Sequence, residues 1–149
     1  MRLRTQIATT AVTALLLVCA IPFSSPAQAV SCKPITDRTW KLIYKSPGKY
    51  KGKNYTVWGN IWQFDDATGP DTFLSYVSGT NKFDGTYFSG SDDAMLKGSA
   101  KKLANYVEGD VYKACVTVKG SYTYDRAQGG TNTVPLLTVN SIRYLGSTD

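Results

Sequence analysis

Hydrophobic and polar residues alternate most cleanly between residues 111 and 124. Ala114, Val116, Val118, Tyr122 and Tyr124 share one parity, and Lys113, Cys115, Thr117 and Lys119 share the other. A period of two sends one set toward a core and the other toward solvent, so this stretch is predicted to be a strand. Residues 55–64 read the same way, with Tyr55, Val57 and Ile61 on one face and Trp58, Trp62 and Phe64 on the other. Further strands are predicted over 72–77, within 86–97, and over 134–144, where Leu137 and Val139 form the inward pair. Two stretches depart from this period. Trp40, Ile43 and Tyr44 are spaced i, i+3, i+4, which predicts a short helix over 38–44 with Asp37 as its N-cap. It ends at Ser46-Pro47-Gly48, which is breaker chemistry. Residues 99–106, entered by Ser99, are predicted to form a second short helix or turn.

Five strands with glycine-marked bends and a helix before the fourth predict an all-β domain with minor helix. The architecture is a small five-stranded β-barrel preceded by a short N-terminal helix. Gly59 in mid-strand is expected to mark the sharp bend a small barrel demands of its first strand.

Ser46-Pro47-Gly48-Lys49-Tyr50-Lys51-Gly52-Lys53, followed by Tyr55-Thr56-Val57-Trp58-Gly59-Asn60-Ile61, resembles the opening of exported bacterial OB-fold-like domains. Val107-Glu108-Gly109-Asp110 with Val116-Thr117-Val118-Lys119-Gly120 resembles the fourth strand of the same group. Gln63-Phe64-Asp65 and Ala67-Thr68-Gly69 are similar to pieces of small secreted actinobacterial proteins of unknown role. The resemblance implies an OB-fold-like barrel and no particular activity.

The first 29 residues carry a basic start (Arg2, Arg4), an apolar run and Ala27-Gln28-Ala29, the pattern of a cleaved signal peptide. The expectation is therefore a secreted protein, with envelope association as an option, whose single domain spans 30–149 and has no transmembrane segment. Of 17 basic residues, losing Arg2 and Arg4 leaves 15 against 11 acids, a net charge of +4. That is mild, and specific nucleic-acid recognition is not expected from it. The charge is uneven: residues 33–53 hold seven basic residues against Asp37 alone, and 65–93 hold six acids against Lys82 alone. Two cysteines follow the cleavage site. In an exported chain an even pair predicts a disulfide, Cys32 to Cys115, with Cys115 looking outward from the barrel wall.

The candidate chemistry is thin. The chain has no histidine and no CxxC-like cluster, so neither a metal site nor a cofactor is expected. A serine or cysteine nucleophile would lack its usual base. Asp65-Asp66 and Asp92-Asp93 are adjacent pairs, which a strand points to opposite faces. No catalytic residue is nominated. The aromatic and basic group of the first strand is the binding candidate: Trp58, Trp62 and Phe64, with Tyr76 on the second strand and Lys51 and Lys53 at the entry. The expected function is a non-enzymatic module that binds an exported protein, an envelope glycan or an anionic polymer. The alternatives are an extracellular hydrolase using paired carboxylates, and a structural component of an exported complex.

Overall fold

The computed structural model describes residues 29–149. The predicted signal peptide, Ala29 apart, lies outside the described residues.

β1 (Lys33–Pro34) is a two-residue strand that runs parallel to the start of β2 (Asn54–Gln63). After it come β3 (Thr72–Ser78), β4 (Asp92–Lys97), β5 (Asp110–Asp125) and β6 (Thr131–Ser147). The sheet runs β2-β3-β4-β6-β5, and β5 also pairs with β2, which closes a five-stranded barrel. β4 and β6 are parallel, and the other barrel pairs are antiparallel. A one-turn helix, α2 (Ala100–Leu103), carries the chain from β4 to β5, with the Ser99 hydroxyl accepting from the Lys102 N–H. This is an OB-fold-like all-β domain, as the strand count and the resemblance imply. No helix among the described residues is long and apolar enough to cross a membrane.

The preceding helix, α1 (Asp37–Lys45), begins one residue earlier than predicted, because Thr36 rather than Asp37 caps it by accepting from the Thr39 N–H at 3.2 Å. Asp37 is drawn elsewhere. Its carboxylate meets Lys82 Nζ at 2.7 Å and accepts from both the N–H and the hydroxyl of Thr80. Burial alone would raise its pKa, but the Lys82 ammonium and the Thr80 donors outweigh this and hold the carboxyl below its usual range. The predicted helical stripe holds: Trp40 and Ile43 are buried in the barrel core, and Tyr44 packs half-buried against it.

The core alternates as a closed barrel requires. Val57 and Ile61 from β2, Phe73 and Val77 from β3, Ala94 and Leu96 from β4, and Ala114, Val116 and Val118 from β5 all point inward. Tyr112 joins them fully buried, its ring edge-on to Phe73 at 5.6 Å. Its phenol donates to Ser75 Oγ at 2.8 Å, and that hydroxyl reaches the carbonyls of Asn60 and Tyr76. Burial pushes the phenol's pKa far up, so it stays a neutral donor.

Gly59 sits directly across from Tyr112 in the β2–β5 ladder. Its backbone is not left-handed. A Cβ there would lie 2.3 Å from Tyr112 Oη and 2.7 Å from Ser75 Oγ. The glycine therefore makes room for the phenol, which corrects the expectation that it supplies a bend.

Four register shifts interrupt the ladders, one between Ile61 and Gln63 on β2 and three along β5 and β6, between Val111 and Tyr112, between Cys115 and Val116, and between Val118 and Gly120. Each inserted residue inverts the parity of the residues beyond it. Cys32 and Cys115 form a disulfide that fastens the segment before α1 to the outside of β5, with Cα atoms 5.5 Å apart.

Candidate functional site

Two of these register shifts, at Ile61–Gln63 and at Val118–Gly120, build a cleft. On β2, Trp62 points outward as its parity predicts, but the bulge turns Phe64 back into the barrel, where it packs on Phe73 at 5.6 Å. Phe64 thus leaves the predicted aromatic face. On β5, the alternation that placed Tyr122 and Tyr124 with the core residues is broken at Gly120, whose φ of +117° an L side chain rarely adopts. Beyond it the β5–β6 hairpin projects past the barrel. There Tyr122 is 41% exposed, and its ring stacks on Tyr124 at 6.5 Å.

The projecting hairpin forms one wall of a cleft of about 890 Å³, and the turn after β2, with Ala67 and Thr68, forms the other. Leu74 and Tyr76 of β3 and Asp93 and Met95 of β4 make the floor. Trp62 spans floor and wall. It covers Leu74, Met95 and Val134 beside Tyr124 and stands 6.1 Å from the ring of Tyr76. Local hydrogen bonds hold both walls. Asp65 Oδ1 accepts from the N–H groups of Ala67 and Thr68. On the hairpin, Asn132 Nδ2 donates to Tyr124 Oη at 2.9 Å, and the hydroxyls of Thr123 and Thr133 meet at 2.8 Å.

The cleft is aromatic and amide-rich, with little charge. Arg126 is the cation among its described lining residues, and Asp93 and Asp125 are the anions. Burial raises the Asp93 carboxyl above its usual range. The Trp62 indole, Asn132 and the more distant Arg126 pull the other way, and Asp92 adds to the rise. Trp62 Nε1 and Asp93 Oδ1 do not meet in good hydrogen-bond geometry, and each is buried without a partner. Burial therefore prevails.

The other nominated residues lie apart. Trp58 stands half-buried on the outer wall of β2 with Lys113 Nζ 5.1 Å above its ring. Lys51 and Lys53 are exposed at the entry to β2, with Lys53 Nζ 5.2 Å from the Tyr50 ring, and neither lines the cleft. The basic entry and the aromatic exit of the same strand do not form one surface. A ten-residue strand separates them by about 30 Å. Tyr122, Tyr124, Asp93, Asn132 and Arg126 were not nominated from the sequence. Gly120 was the available signal, because a glycine inside an alternating run marks a bulge beyond which parity cannot be carried.

No protein-family model and no curated protein matches the sequence. Two solved structures of Rim1, the mitochondrial single-stranded DNA-binding protein of S. cerevisiae, resemble the fold. One is 14% identical, with a TM-score of 0.38 over 66% of this chain and 99% of that one. The other, from selenomethionine-labelled protein, is 15% identical, with a TM-score of 0.37 over 65% and 98%.

These neighbours bind single-stranded DNA. The expected basic and aromatic surface for an exported protein, an envelope glycan or an anionic polymer is corrected by the geometry, which separates Lys51 and Lys53 from the aromatic cleft. The expectation that nucleic acid is not specifically recognised stands against the single-stranded DNA binding for which these two structures are named.

Proposed function

We propose that this chain binds single-stranded nucleic acid in the aromatic cleft, by stacking bases on Trp62, Tyr76, Tyr122 and Tyr124. The observation that carries this reading is the position of the cleft. It lies on the second and third barrel strands, between the loop after the first strand and the loop joining the last two. Barrels of this kind use that face for oligonucleotides. Four aromatic rings there match the sequence-tolerant stacking of single-strand binders, since every base has a π-face. A duplex keeps its bases stacked on one another and should be a poor ligand.

Anisotropy titration with a labelled oligothymidylate of about 10 nucleotides tests this, with a duplex of equal length as control. Tyr122→Ala should weaken binding about tenfold, the loss of one stacked base, and leave the unfolding midpoint unchanged, because Tyr122 is exposed. Equal affinity for duplex, or an unaltered Tyr122→Ala variant, would refute the reading. With Arg126 the cleft's cation, the log–log salt slope should have a magnitude of about 1 or less.

Asp93 adds a pH dependence. Its carboxylate faces the bound polyanion, and its pKa is raised. Binding should therefore tighten as pH falls through that raised value and the negative charge disappears. Asp93→Asn should abolish the trend and bind at neutral pH as tightly as the unaltered protein does in acid. Folding follows the same sign. The native state holds this proton more firmly than the unfolded chain does, so the associated stability is present below the unfolded pKa and lost as pH rises through the folded one.

Export belongs to the same proposal. The basic start, apolar run and small residues before Val30, together with the disulfide, support an oxidising compartment. N-terminal sequencing of culture-medium protein should begin at Val30.

A further inference from the structure

Next to the aromatic cleft lies a second of about 420 Å³, lined by Asn60, Tyr76, Tyr87, Phe88, Ser91 and Thr148. Tyr76 lines both, so the two clefts adjoin at its side chain on β3. At the far side stands Tyr87, 65% exposed, among the most exposed of the large hydrophobic side chains.

Tyr87 is not on a loose loop. It sits on a tight hairpin in which Phe83 and Phe88 pair, Asp84 N–H donates to the Tyr87 carbonyl, and Ser89 N–H donates to the Lys82 carbonyl. Asp84 Oδ1 accepts from the N–H groups of Thr86 and Tyr87 at 2.9 and 2.7 Å. Phe88 is buried beneath, against Gly90, and the Phe83 ring lies where a Cβ of Gly146 would be. Lys82 ties the hairpin to α1 through Asp37. The backbone that carries Tyr87 is thus fixed on both sides while its side chain is largely exposed. A backbone already held in place lowers the ordering cost of binding.

Resting on the single-strand reading above, we infer that Tyr87 is a further base-stacking platform: the strand that fills the first cleft crosses Tyr76 and places a later base on Tyr87. The inference concerns the length of strand engaged. A short oligonucleotide fills the first cleft alone, and a longer one reaches the hairpin.

Oligothymidylates of about 4 and about 12 nucleotides, spanning the site sizes of such barrels, separate the cases. The unaltered protein should bind the longer one more tightly than added length alone explains. Tyr87→Ala should lose about tenfold for the longer strand and nothing for the shorter, while Tyr87→Phe retains both. Tyr122→Ala should weaken both lengths. Equal effects of Tyr87→Ala on the two lengths, or none on the longer, would overturn the inference and leave the first cleft standing. If the unaltered protein binds neither length, the single-strand reading itself falls and this inference with it. Because Tyr87 is exposed, an unchanged unfolding midpoint should accompany the loss.

Discussion

Replacing Cys32 and Cys115 together with alanine is expected to lower the unfolding free energy by about 4.5 kcal/mol. The bridge closes a loop of 83 residues, most of the described chain, and in the chain-entropy account the restriction of the unfolded ensemble grows with the logarithm of loop length. For a domain whose total stability is on the order of 5–15 kcal/mol, that is a large share. The native state loses something as well. β1 pairs with β2 through Lys33 and Pro34 only, too short a ladder to hold the N-terminal segment by itself. Urea unfolding with and without reductant measures the first effect. The midpoint should fall and the slope should steepen as the uncrosslinked chain exposes more surface. Amide hydrogen exchange in the segment before α1 reports the second and should accelerate before global unfolding. A reduced protein with an unmoved midpoint would show that the loop constraint contributes nothing.

Gly59→Ala is expected to cost about 3 kcal/mol, at the upper end of the usual range for overpacking. The added methyl would overlap the Tyr112 phenol and Ser75 Oγ, and neither can retreat. Tyr112 is wedged edge-on against Phe73, and Ser75 is tied to the backbone of β2 and β3. A double-mutant cycle identifies the cause. Tyr112→Leu alone destabilises by leaving space in the core, but combined with Gly59→Ala it should recover part of the loss, giving a coupling of about 1–3 kcal/mol. A backbone explanation predicts no recovery, because Tyr112→Leu would not alter what β2 must do. Gly59→Ala within about 0.5 kcal/mol of the unaltered protein would mean that β2 and β5 shift apart at little cost.

Much of the fold was legible in the pattern of residues. Strand positions, the helical stripe of Trp40 and Ile43, and the outward Cys115 follow from local periodicity, and each is what a chain must do to bury one face and wet the other. Cysteine count and the expectation of export together predicted the disulfide. The candidate cleft was not legible in this way, for a reason visible in two places. Trp62 and Phe64 share a parity in the sequence yet part at the β2 bulge, one to the cleft and one to the core. Tyr122 and Tyr124 share a parity with Val116 and Val118 yet leave the barrel at Gly120. A single inserted residue reverses facing, and its position depends on which strand lies opposite.

The sequence by itself determined that this chain is a small barrel with a helix packed into its core, because periodicity and chain punctuation are local properties. Only the tertiary structure decided that Trp62, Tyr76, Tyr122 and Tyr124 line one cleft. It likewise decided that Lys51 and Lys53 stand at the far end of β2, and that Gly59 is a socket for Tyr112. Each of these depends on strand register and on closure of β5 against β2, contacts between residues far apart in the chain whose pairing no local pattern encodes.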